Sequence, residues 1–200
     1  MKEVLFLLLN EFAEWEMSPL AAALNQSDRF CVKTVSVSLV PIRSIGGFSV
    51  NPDYDIAKAL NVDFAGLLLI GGKAWRTLEA GQVHPLVNRA MEKQALLGAI
   101  CDASVYLGSL GLLNNTTHTS NQLEDLCGYA GNSYTGKSLY RYRQAVRCGN
   151  IVTANGSAGL EFAREVLLGL GAMTEPEAEQ WYRFYKLGYY EAMGVQAKNG

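Results

Sequence analysis

Of the four cysteines in the chain, Cys101 has the neighbours that could make a thiol react. It ends a short apolar run, Leu96–Asp102 (LLGAICD), and a helical pattern begins at once after it. A nucleophile on such a tight strand-to-helix turn needs small residues two positions to either side, and Ala99 and Ala103 supply them. At a helix amino terminus the partial positive charge favours thiolate, and the backbone N–H of Asp102 would face an oxyanion formed beside the sulfur. The competing reading is a buried cysteine that merely finishes a strand. Cys31, Cys127 and Cys148 lack this setting and read as packing.

A second pattern, Gly131–Ser138 (GNSYTGKS), satisfies G-x-x-x-x-G-K-[ST] letter for letter. That motif cradles phosphates only where a buried strand enters the loop and a helix leaves it. Here Asn121–Ala130 is polar and free of β-branched residues, Leu139–Arg143 alternates like a strand, and no later apolar run ends in a metal-binding Asp. P-loop nucleotide binding is therefore the weakest function considered. His84 precedes Pro85 at a helix start and reads as exposed, whereas His118 lies in Asn114–Asn121 (NNTTHTSN), a candidate for lining the site. With two His and no clustered ligand spacing, neither a metal site nor a cofactor is expected.

The elements that must position these residues alternate between strand and helix. Val4–Leu9, Cys31–Leu39, Ala65–Ile70 and Gly98–Cys101 read as strands, and Ala145–Ala154 as a hairpin turning at Gly149-Asn150. Ala13–Asn25, Val83–Leu97, Ala103–Leu113, Ala158–Leu170 and Glu175–Met193 read as helices, the last capped by Thr174 with Pro176 behind it. Ile42–Tyr54 suggests a small hairpin or irregular excursion. The alternation predicts one α/β domain over residues 1–200, a mostly parallel sheet covered on both faces, with ligands bound beyond the strands' carboxyl ends.

Composition agrees. Apolar residues make up 49% of the 200 residues, and 17 Lys and Arg stand against 19 Asp and Glu for a net charge of -2. That excludes a disordered chain and offers no electrostatic excess for nucleic acid. No apolar run approaches the roughly 20 residues of a membrane span. Val4–Leu9 is too short for a signal peptide core, so a cytoplasmic protein with reduced thiols is expected.

Four segments in order, Val4–Glu16 (VLFLLLNEFAEWE), Gly66–Gly72 (GLLLIGG), Ala99–Ala103 (AICDA) and Thr153–Ala163 (TANGSAGLEFA), resemble the ThiJ/PfpI superfamily. The resemblance implies a flavodoxin-like three-layer sandwich of the class I glutamine amidotransferase type with a nucleophile elbow. It implies Cys101 as the nucleophile and Glu16 as the acid whose protonated carboxyl bonds the sulfur, with Glu14 an ordinary helix residue. Gly71-Gly72 matches the glycine pair whose second N–H is an oxyanion donor, and Asn121 matches a position where relatives place His or Tyr. Proteolytic members have His directly after the elbow cysteine, where this chain has Asp102, so a Cys-His triad is not expected. The implied activity is cysteine-dependent, hydrolase- or glyoxalase-like, on a small electrophilic carbonyl or amide. The alternative is a non-enzymatic redox or stress-response protein with an oxidisable Cys101. Relatives are commonly dimers, so a homodimer is expected; Tyr182, Tyr185 and Tyr189 recur at helical spacing, as in a packed face or subunit contact.

Overall fold

The computed structural model describes residues 1–194. β1 (Lys2–Leu7) leads into α1 (Glu14–Asn25) and back to β2 (Phe30–Ser36). β3 (Ile42–Arg43) and β4 (Ser49–Val50) pair as a small antiparallel hairpin, and β5 (Tyr54–Asp55) runs into the short α2 (Ile56–Ala59). β6 (Gly66–Leu69) is followed by a 3-10 turn over Lys73–Arg76, then α3 (Leu78–Gly81) and α4 (His84–Glu92). β7 (Leu96–Ile100) enters α5 (Asp102–Ser109), and α6 (Leu123–Ala130) follows. β8 (Ala145–Cys148) and β9 (Ile151–Ala154) form the late hairpin, before α7 (Gly159–Gly169), α8 (Glu175–Leu187) and α9 (Tyr189–Ala192).

Seven strands make one sheet in the order β5-β2-β1-β6-β7-β9-β8, parallel throughout except for β8 against β9. The central strands are apolar on both faces because both faces are covered. Along β1, Val4 and Phe6 pack under α1 and α7 with Leu20, Leu24, Phe162 and Val166. Leu5 and Leu7 point the other way, into a core with Leu86, Val87, Trp75 and Tyr106 from the α4 and α5 side. This is a flavodoxin-like three-layer α/β sandwich. The chain moves outward from β1 to β2 and then returns to β6 on the other side, so a crevice opens at the carboxyl ends of β1 and β6.

Several boundaries differ from the sequence reading. The helix expected over Val83–Leu97 stops at Glu92, and Leu96 and Leu97 belong to β7. Gln94 turns the chain with φ of 53°, a job the sequence usually signals with Gly. Leu139–Arg143 is no strand: Lys137–Leu139 is a 3-10 turn, and Tyr140 makes only an isolated bridge to His118. The last helix breaks at Gly188 (φ 85°), which puts Tyr189 on α9 rather than on the face carrying Tyr182. Its start is as expected, with Thr174 and Glu177 forming a capping box. The Gly131–Ser138 segment is entered from helix α6 and contains two 3-10 turns, so it lacks the strand–loop–helix frame a phosphate loop requires.

Candidate active site

β7 ends at Ile100, and Cys101 stands between it and α5 with φ of 58° and ψ of -132°. An L-residue rarely takes that conformation, which costs roughly 1–3 kcal/mol and must be held by its surroundings. The Cys101 N–H donates to the Ala154 carbonyl at 3.0 Å, and the Cys101 carbonyl accepts from the Ser104 N–H at 3.0 Å and the Ser104 hydroxyl at 2.6 Å. Ala99 and Ala103 are both completely buried. The small neighbours expected of an elbow are therefore in place.

Glu16 reaches the thiol from α1. The approach is set by the Ala13 N–H, which donates to the Gly71 carbonyl at 2.9 Å just before the helix starts. Glu16 is 1% exposed. Its Oε2 accepts from the Gly71 N–H at 2.8 Å, while Oε1 has no hydrogen-bond partner among the described residues. A Cβ at Gly71 would collide with both the Glu16 carboxylate and the Cys101 side chain, so only glycine lets the acid and thiol approach. A Cβ at Gly156 would lie 2.9 Å from Cys101 Sγ and 3.3 Å from Glu16 Oε1, which closes the site from the loop after β9.

Asn121 completes the surroundings of the sulfur. Its Oδ1 accepts from the Gly156 N–H at 2.8 Å, which turns the amide so that Nδ2 donates to Sγ at 3.3 Å. The preceding residues His118, Thr119 and Ser120 are buried and polar, and they pin this arm. The Thr119 N–H donates to Thr153 Oγ1 at 2.9 Å, and the Tyr140 hydroxyl donates to the Ser120 carbonyl at 3.0 Å. The Asp102 N–H, at the start of α5, acts to favour the ionised sulfur. Phe12 and Gly72 oppose each other as a non-hydrogen-bonded antiparallel pair, flanked by Ala13 N–H to Gly71 O and Lys73 N–H to Glu11 O. That pairing leaves the Gly72 N–H free of a backbone partner.

Burial pushes the Glu16 carboxyl up to about 7 against an ordinary 4.5, with the Gly71 N–H opposing the shift. Burial, followed by the negative charge of Glu16, pushes the Cys101 thiol up to about 11, opposed by Asn121 and the Asp102 N–H. The two groups resist being ionised together. Near neutrality they carry one shared proton and one negative charge. The charge rests first on Glu16, and its presence, after burial, is what raises the thiol.

His118 was a candidate for lining the site, and its hydrogen bonds go elsewhere. Nδ1 lies 2.6 Å from the Thr116 carbonyl and must therefore carry the proton, so Nε2 accepts from the Tyr134 hydroxyl at 2.7 Å. The ring is completely buried, edge-on to Tyr134 and Tyr140, and burial lowers its pKa. Its role is to brace the segment that delivers Asn121. His84 is exposed at the start of α4, as expected. Glu14 accepts from the Gly46 N–H at 3.2 Å, away from the thiol. No group of three or more metal-ligating side chains occurs among the described residues, and no described helix is long and apolar enough to cross a membrane.

Sequence reasoning missed Arg76. Its guanidinium grips Asp102 with Nε at 2.8 Å and Nη2 at 3.0 Å, and Asp125 with Nη1 at 3.0 Å and Nη2 at 2.6 Å. No local motif could reveal a fork that spans 26 and 49 residues of chain.

A parallel α/β sandwich with a strained cysteine elbow beside a buried carboxylic acid defines a class of thiol-bearing proteins built at a topological switch point. The pattern of the DJ-1/PfpI family matches residues 2–168, and the chain belongs to that family. It is 37% identical over 190 residues to the "Uncharacterized protease YdeA" of Bacillus subtilis, covering 95% of this chain and 94% of that protein. A second B. subtilis protein, "Uncharacterized protease YoaZ", is 31% identical, covering 92% of this chain and 91% of its own. Among solved structures, the DJ-1 superfamily protein Atu0886 from Agrobacterium tumefaciens superposes with a TM-score of 0.86 at 34% identity, over 94% of this chain and 98% of that one.

Proposed function

We propose that this protein is a cysteine-dependent enzyme acting on a small electrophilic carbonyl, with Cys101 as nucleophile and Glu16 as proton carrier. The observation that carries the reading is the set of groups around the sulfur: a buried carboxyl with one oxygen unpartnered, an amide N–H2 and a backbone N–H. Both histidines are engaged or exposed elsewhere, so the imidazole base that peptide hydrolysis by a cysteine triad needs is missing from this set. The word "protease" in the names of the Bacillus relatives is thus a weaker guide to this chain's substrate than a reaction needing one nucleophile and one carboxylic acid.

A 2-oxoaldehyde suits that equipment. The Sγ anion adds to the aldehyde carbon, forming a C–S bond, while the carbonyl oxygen takes the electron pair and then a proton from Glu16. The N–H groups of Gly72 and Asp102 are assigned to that oxygen. Glu16, now a carboxylate, removes the proton from the former aldehyde carbon and returns it to the adjacent one. The hydroxyl proton passes from the first oxygen to the second, so the first carbon becomes a thioester as the second becomes a secondary alcohol, and no external oxidant or reductant is needed. Water then cleaves the thioester, releasing a 2-hydroxy acid and the thiol.

The test is methylglyoxal consumption by the purified protein, with the 2-hydroxy acid product quantified. Cys101→Ser and Glu16→Gln should each lower turnover by at least a hundredfold while the fold is retained. Unchanged turnover in Cys101→Ser, or an inert wild type that cleaves peptides instead, would overturn the proposal.

A further inference from the structure

Asp102 is an awkward residue to follow a nucleophilic cysteine. It occupies the first position of α5, beside the group that must become an anion, and its charge acts against ionisation of both Cys101 and Glu16. A free carboxylate there would cancel much of the positive end of the helix. The fold answers with Arg76, at the end of the 3-10 turn that directly follows Gly71-Gly72. Its fork closes on both Asp102 oxygens, and its outer edge on both Asp125 oxygens of α6, while its centre lies 5.2 Å from the Tyr129 ring. The Asp102 side chain is 21% exposed and Arg76 37%, so the pair is partly shielded from water.

We propose that Arg76 is a positioning residue for the thiol: it holds the Asp102 carboxylate turned toward α6 and neutralises it, so that negative charge forms on Cys101 without a rival beside it. The inference rests on Cys101 being the reacting group. The charged or titratable groups facing the sulfur are Glu16 from α1 and Asp102 from α5; Asn121 and the Gly156 loop contribute neutral groups. Around Arg76 stand Asp102, Asp125 and Tyr129. Arg76 is thus the one cation paired with Asp102 among the described residues. Lysine would keep the charge and lose the fork, since an ammonium cannot hold two carboxylates in a plane.

The experiment is the pH profile of Cys101 alkylation by iodoacetamide, read by peptide mass so that it is independent of any substrate. The thiolate displaces iodide and forms an S–CH2 bond, and the rate follows the thiolate fraction. Arg76→Gln should move the inflection upward by about 0.5–1 pH unit, slowing alkylation about three- to tenfold near neutrality. Arg76→Lys should lie between the two, and Arg76→Gln/Asp102→Asn should return close to wild type. Asp102→Asn alone, which leaves Arg76 under-compensated, should lower the inflection, and it provides the reading if Arg76→Gln fails to fold. An Arg76→Gln profile equal to wild type, or a double variant no better than Arg76→Gln, overturns the proposal. A wild-type Cys101 that resists alkylation across the range refutes instead the reactive-thiol reading on which it rests.

Discussion

Replacing Glu16 by Gln should stabilise the protein at alkaline pH while destroying its chemistry. The carboxyl is 1% exposed, and burial holds its proton up to about 7, whereas the unfolded chain releases it near 4.5. Between those values the folded state binds more protons than the unfolded one, so stability falls as pH rises through that window and stays lowered above it. The gap corresponds to about 3 kcal/mol at pH values above 7. Gln keeps an oxygen for the Gly71 N–H and removes the ionisation. The difference in unfolding free energy between Glu16→Gln and wild type should therefore grow by about 3 kcal/mol from about pH 4.5 to about pH 8.

Urea unfolding at several pH values in that range measures it, and comparing two variants of one chain cancels the titrations they share. The upper limit matters. Above about 9 the unfolded thiol begins to ionise while burial and Glu16 hold the Cys101 proton to about 11, which adds a second loss of stability of different origin. A stability difference that stays flat within about 1 kcal/mol from the acid to the neutral end would mean that Glu16 ionises as freely inside the protein as outside. The shared-proton account of the site would then fail.

Gly156→Ala should slow Cys101 alkylation at least tenfold, because the new Cβ would stand 2.9 Å from Sγ and disturb the N–H that orients Asn121; mass-resolved alkylation reads this directly, and circular dichroism checks that the fold survives. His118→Gln should lower unfolding stability by about 1–3 kcal/mol, since two buried hydrogen bonds lose their geometry. Any dependence of its activity on pH near neutrality should match that of wild type, because on the proposed mechanism it belongs to the Glu16–Cys101 pair and not to the imidazole.

Much of the frame was legible because it depends on local pattern. Apolar runs at Val4–Leu9 and Ala65–Ile70 are too short for helices and carry the strands β1 and β6, and Ala99 and Ala103 are the small, fully buried residues an elbow needs. Where the sequence misled, a tertiary partner had replaced a local signal. Gln94 ends α4 in a conformation usually given to Gly, so nothing in the letters separated Leu96 and Leu97 from the helix before them. Tyr140 and Tyr142 alternate as a strand would, yet Tyr140 is buried because its hydroxyl braces Ser120. The stretch His118–Ser120 is polar in sequence and yet buried. Its burial follows from Thr153, Tyr134 and Tyr140, each distant in sequence.

Those distant contacts also bear on the proposed chemistry, which has Asp102 and Asn121 where a cysteine–histidine pair would have an imidazole. A cysteine–histidine pair activates its thiol by transferring the proton to a base that becomes a cation. Here the acceptor is a carboxylate that becomes neutral, so no ion pair is created and one negative charge moves from oxygen to sulfur. Such a transfer requires little rearrangement of surrounding dipoles, provided that no other anion intrudes. The fold supplies that condition: neutral donors from Asn121 and Asp102 N–H face the sulfur, and the Asp102 carboxylate is bound to Arg76. Adding an imidazolium to this arrangement would pin the proton away from Glu16. The neutral Asn121 amide leaves it free to return to substrate, which is what the proposed transfer of one proton between neighbouring carbons requires.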